Sequence, residues 1–156
     1  MNTGYRNGII ELIELQGFRY FTTLAFNRDI TVGGARHHLK QLHARLDRKA
    51  LKTNWAKRDP ITERLFSISF IEHPLTNLHF HMLWRAPQHE AMLIEAMPGI
   101  WKKLFKSGNV ITLPILKIDK LSWYCTKELT DDSYILSTEF SSQKSHHALG
   151  RLSHAG

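Results

Sequence analysis

The sequence predicts an α+β domain, and three observations carry that prediction. Two stretches, 65–72 and 77–85, alternate apolar and polar residues at the two-residue period of a strand, and two more, 18–26 and 110–116, are rich in strand-forming residues. Two longer stretches repeat their apolar residues at the three- and four-residue steps of an amphipathic helix. Their order along the chain is strand, helix, strand, strand, helix, strand.

The first strand falls in 18–26, after Gly17, with Phe18, Tyr20, Thr22, Leu24 and Phe26 on one face. Asn27, Arg28 and Asp29 close it. Thr31 caps a helix whose Val32, Ala35, Leu39, Leu42, Leu46 and Ala50 form the buried stripe, while Arg36, His37, Lys40, Arg45, Arg48 and Lys49 make a solvated face. A connection through Trp55 and Pro60 leads to a strand over 65–72, where Phe66, Ile68 and Phe70 alternate with Ser67 and Ser69. A hairpin loop over 73–77 joins it to the next strand, 77–85, in which Leu78, Phe80, Met82 and Trp84 face a core and His79 and His81 face away. That loop length sets Phe70 opposite Phe80 and Ser69 opposite His81, leaving the histidines on an open, serine-bearing face.

After Pro87, a helix over 88–105 offers Met92, Ala96, Ile100, Trp101, Leu104 and Phe105 to the core, with a kink expected at Pro98-Gly99 and an end at Gly108. The β-rich run 110–116 contains Pro114, which places it at a sheet edge or a bulge. The whole is the ferredoxin-like βαββαβ arrangement, an antiparallel sheet with helices on one face. A further helix over 121–129 follows, and 134–140 adds a short strand. The domain is expected to span residues 1–140, with 141–156 a loose polar tail.

The chain has 156 residues, 42% of them apolar, which suits one compact core. Lysine and arginine outnumber aspartate and glutamate by 21 to 14, a formal net charge of +7, as expected of a protein that meets a polyanion. The one cysteine, Cys125, rules out an internal disulfide and suits a reducing cytoplasm. The apolar run 9–13 is short and interrupted by Glu11, so it is neither a signal peptide nor a membrane span, and no membrane partner is expected.

Two residues apart on a strand, His79 and His81 leave the sheet side by side, close enough to ligate one cation as neutral imidazoles. In the later helix, Tyr124, Lys127 and Glu128 stand at i, i+3 and i+4 and share a face. H-hydrophobe-H on a strand followed by Y-x-x-K-E on a helix resembles the HUH endonucleases, specifically the single-tyrosine replication initiators (Rep proteins) of rolling-circle plasmids and single-stranded DNA viruses. The resemblance runs from about Phe18 to Leu129, because Tyr20-Phe21-Thr22-Thr23-Leu24-Ala25-Phe26 is similar to that family's first, strand-borne motif.

The resemblance implies a metal-dependent endonuclease and ligase that nicks single-stranded DNA at an origin hairpin and leaves a 5′-phosphotyrosine. Tyr124 would be the nucleophile and Lys127 its catalytic neighbour. His79 and His81, completed by Glu72, would hold Mn²⁺ or Mg²⁺. In the hairpin register above Glu72 faces the apolar side, so it reaches the metal only through a twist or bulge, and His73 is a substitute. The length leaves no room for a helicase domain, so a separate helicase and replication machinery are the implied partners. Alternatives are a single-tyrosine HUH transposase and a non-catalytic single-strand-binding module on the bare sheet face.

Overall fold

A computed structural model describes residues 3–141. Helices α1 (Thr3–Leu15), α2 (Val32–Leu51), α3 (Glu90–Leu104) and α4 (Ile118–Cys125) surround a sheet of β1 (Tyr20–Ala25), β2 (Phe66–Glu72), β3 (His79–Arg85), β4 (Asn109–Pro114) and β5 (Tyr134–Leu136). The strands lie in the order β4-β1-β3-β2-β5, every neighbouring pair antiparallel. This is the ferredoxin-like α+β arrangement with β5 added at one edge. β4, which contains Pro114, forms the other edge. The expected polar tail lies outside the described residues except for Ser141, whose hydroxyl accepts from Arg64 Nη1 at 2.8 Å.

Thr31 caps α2 as its sequence position requires, accepting from Gly34 N at 3.0 Å. Ala35, Leu39, Leu42 and Leu46 of α2 and Leu93, Met97 and Trp101 of α3 pack on Leu24, Phe80, Met82 and Trp84 of the central strands. The buried stripe of α3 thus lies one position round from the expected Met92 and Ala96, and the helix continues unbroken from Glu90 to Leu104 through Pro98. Thr22 sits in this apolar layer with its hydroxyl satisfied by Trp84 Nε1 and the Thr112 hydroxyl, each at 2.8 Å.

The expectation of a bare histidine face is corrected by a second core. Ile13 of α1 and Cys125 of α4 join Phe18, Phe66, Ile68, Phe70, Leu83 and Leu136 on that side of the sheet. Helix α1 has the pattern for this: Ile10 and Ile13 are buried, Glu11 and Glu14 point out, and Gly17 at φ 65° stops the chain from continuing as helix. With a second apolar layer available, β2 turns over. Phe70 pairs with His81, and Ile71 with Phe80, one residue out of the expected register. Moving a phenylalanine or isoleucine side chain from water to a core is worth about 1.5–3 kcal/mol, so Phe66, Ile68 and Phe70 together decide which way the strand faces. The hairpin loop is correspondingly one residue longer, 73–78, with His73 and Asn77 both at positive φ.

The serines read as a wet face are buried beneath α2 instead. Ser67 donates to His43 Nε2 at 2.7 Å, while His43 Nδ1–H donates to the Leu39 carbonyl at 3.0 Å. One turn on, Asp47 accepts from Arg64 Nε and Leu65 N, each at 2.9 Å. Burial lowers the His43 pKa from its ordinary 6.5, opposed by its bond to Leu39 and by Asp47 and reinforced by Arg64. A buried neutral histidine leaves the unfolded chain with more bound protons just below 6.5, so its contribution is complete above that pH and shrinks as pH falls. The urea midpoint is therefore expected to fall between about pH 7 and 5 with a shallower slope in His43→Gln than in the native chain. Parallel profiles would contradict the neutral, buried assignment.

Candidate active site

The site lies at the end of the sheet where β2 finishes and β3 begins. Glu72 stands directly opposite His79, and His81 opposite Phe70, so the carboxylate and both imidazoles leave the same face. Opposite residues of an antiparallel pair have Cβ atoms about 5 Å apart, and diagonal ones remain within reach of long side chains. The three groups converge without a twist or bulge, contrary to what the expected register required. Glu72 Oε2 lies 2.7 Å from His79 Nε2 and 2.5 Å from His81 Nε2. Glu72 and His81 are buried, and His79 is half-buried.

The remaining ring nitrogens are held from behind. His79 Nδ1 lies 3.1 Å from the Asn77 carbonyl, an acceptor, so Nδ1 carries a proton and Nε2 is the atom that meets Glu72. His81 Nδ1 faces the Thr23 hydroxyl at 3.3 Å, and the Phe21 ring stacks on His81 with centroids 5.1 Å apart. The contact of His79 Nε2 with the Glu72 carboxylate is made either through a second proton on the ring or through a cation between the two. Glu72, His79 and His81 offer ligand atoms all within 4.8 Å of one another. Two imidazole nitrogens and one carboxylate oxygen are a donor set that suits a divalent ion, so this group can hold one.

Protonation favours the same role. Burial pushes the Glu72 carboxyl up, but hydrogen bonds with Lys127, His81 and His79 outweigh it and bring its pKa down to about 2. Burial lowers the His81 pKa, against the opposing pull of Glu72. An ionised carboxylate beside an unprotonated imidazole is the state in which both groups act as ligands.

Tyr124 comes from the last turn of α4. Its ring meets His81 edge-on, centroids 5.5 Å apart at 61°, and it is 45% exposed, so solvent and a substrate can reach it. Helix α4 ends at Cys125, shorter than expected, which puts Lys127 and Glu128 in the turn beyond it. Lys127 still joins the site: its Nζ lies 2.5 Å from Glu72 Oε1 and 4.2 Å from the centre of the Tyr124 ring. Its hydrogen bond to Glu72 raises its pKa. Glu128 is exposed at the rim of the cleft formed by Phe70, Glu72, His81, Tyr124 and Lys127. Cys125, between Tyr124 and Lys127 in the chain, is buried, and burial pushes its thiol up to about 12, too high for a nucleophile at neutral pH.

Tyr124, Lys127, Glu72, His79 and His81 are thus brought together. His73 stays outside the triad, exposed, with its ring 5.6 Å from that of His79. Phe21 and Thr23 were missed, although the alternation that put Tyr20, Thr22 and Leu24 on one face leaves them on the histidine side. Comparison of the chain with models of known families, with curated proteins and with solved structures finds no match.

Titration calorimetry with Mn²⁺ is expected to show one site per chain in the native protein, weakened about tenfold or more in Glu72→Gln and in His81→Ala. Unchanged affinity in both variants would remove these residues as ligands.

Proposed function

We propose that this protein cuts and rejoins single-stranded DNA through a covalent tyrosine linkage, as single-tyrosine HUH replication initiators do, and thereby starts rolling-circle replication. The observation that carries this reading is the meeting of Tyr124 with the Glu72-His79-His81 group at one end of the sheet. A phenol is a poor nucleophile and a phosphodiester a poorly reactive target, so an accessible tyrosine beside a metal-ligating triad has a specific chemical use.

In the reaction, the Tyr124 oxygen attacks phosphorus as its proton passes to solvent. The bond from phosphorus to the 3′ oxygen breaks, and that oxygen takes up a proton to become a 3′-hydroxyl. The product is a 5′-phosphotyrosine, and attack by a 3′-hydroxyl reverses it without another energy source. Glu72, His79 and His81 would hold Mn²⁺ or Mg²⁺, which when bound supplies a Lewis acid for a non-bridging phosphate oxygen. Lys127, paired with Glu72 and 4.2 Å from the centre of the Tyr124 ring, would favour the phenolate form of the attacking tyrosine by its positive charge. His81 is kept in place by Phe21 and Thr23, so the tyrosine meets a rigid ring.

Support for a nucleic-acid substrate comes from the +7 net charge and from the half-exposed Trp123 and Tyr124, which present aromatic surface beside the site. An origin hairpin as the target and a separate helicase as the partner follow from the resemblance of the motifs. No helix among the described residues is long and apolar enough to cross a membrane.

Incubation with a pool of random single-stranded oligonucleotides and Mn²⁺, followed by denaturing mass analysis, is expected to yield protein carrying covalent DNA at Tyr124. Tyr124→Phe should lose the adduct entirely while retaining DNA binding within about twofold, since one hydroxyl contributes little to a contact dominated by phosphate charge. Adduct at native levels in that variant would exclude Tyr124 as the nucleophile, and DNA bound but uncut by the native protein would favour a binding module.

A further inference from the structure

We infer that Arg6, on the amino-terminal helix outside the region of motif resemblance, is a positioning residue that clamps the turn carrying Tyr124; this rests on the nuclease reading above. Helix α4 has eight residues, too few to be stable by itself, and its N-cap Lys117 makes no side-chain capping bond. The nucleophile sits in its last turn, where carbonyls lack intrahelical partners and fraying starts. Arg6 meets that turn at two points. Its Nη2 donates to the Trp123 carbonyl at 2.8 Å and its Nε donates to the Thr126 hydroxyl at 3.2 Å. The two anchors bracket Tyr124 in the chain.

The rest of the contact has the same effect. Thr126 passes the link on by donating to the Ser122 carbonyl at 2.7 Å, which also accepts from Thr126 N at 3.2 Å, so the residue that Arg6 holds is itself tied back onto the helix. The guanidinium lies 4.1 Å over the Trp123 ring, and a positive charge at the carboxyl end of a helix is favourable. Arg6 is itself fixed because α1 is seated in the second core through Ile13, with Ile9 and Leu12 packed against it, and the Tyr5 hydroxyl donates to that of Tyr134 at 3.0 Å. A chain of contacts thus runs from the core through Arg6 to the residues on either side of the nucleophile. The Arg6 bond to Trp123 is open to solvent, so it adds little to global stability while restricting where the phenol stands relative to His81.

The test compares the native protein, Arg6→Ala and Arg6→Lys, using the oligonucleotide recovered as adduct. In Arg6→Ala, the single-turnover rate of adduct formation at saturating DNA should fall about tenfold or more, because small misplacements of a reacting group are costly. DNA affinity by fluorescence anisotropy and Mn²⁺ affinity should stay within about twofold, since Arg6 touches neither the ligands nor the phenol. Amide hydrogen exchange should quicken in 124–127. Arg6→Lys keeps the charge but loses the fork, and should recover part of the rate; it also supplies the comparison if the alanine variant folds poorly. A native rate at saturating DNA with native exchange in both variants overturns the clamp, as does a loss that appears only as weaker DNA binding. No adduct from the native protein would instead remove the nuclease reading, and with it this role.

Discussion

The pairing of Glu72 with His79 across β2 and β3 is the constraint on which the site depends. Side chains alternate along a strand, so a slip of one residue would carry Glu72 to the opposite face and leave the two histidines without a carboxylate. The same slip would expel Phe66, Ile68 and Phe70 from the second core, because they share a face with Glu72. Apolar burial at one end of β2 therefore fixes the chemistry at the other. Helices α1 and α4 are part of that arrangement, since they make the histidine side of the sheet a place where phenylalanine can be buried.

Within the site, electrostatics and packing act on the same few atoms. Lys127 compensates the Glu72 carboxylate directly, and together with the two imidazoles it outweighs the cost of burying that charge. Phe21 and Thr23 hold His81 from β1, and the Asn77 carbonyl holds His79 from the hairpin loop. The tyrosine is the least constrained member. It stands on a short helix at the surface, where a substrate can reach it and where its placement depends on contacts from elsewhere in the chain.

Much of the framework was legible in the residues. The stripe on α2, its Thr31 cap, the edge position of β4 and the strand-borne histidine pair all follow from local periodicity and residue chemistry, which survive in any tertiary context. The face of β2 was not legible, because its serines are small enough to be buried beneath a helix and one of them satisfies a buried histidine. Glu72 joins the histidines through a different register from the expected one, because α1, whose apolar run reads only as too short for a leader or a membrane span, covers the sheet face that the alternation of β2 leaves bare. Lys127 occupies its expected place by a different route, from a turn beyond the helix rather than along it.

Whether Glu72, His79 and His81 together bind one divalent cation is read from pulsed electron paramagnetic resonance of Mn²⁺ in the presence of excess protein. The expected spectrum shows nitrogen couplings from two imidazoles, reduced to one when His81 is replaced by alanine. A spectrum indistinguishable from that of the hydrated ion, with no nitrogen coupling at any protein concentration, would contradict it.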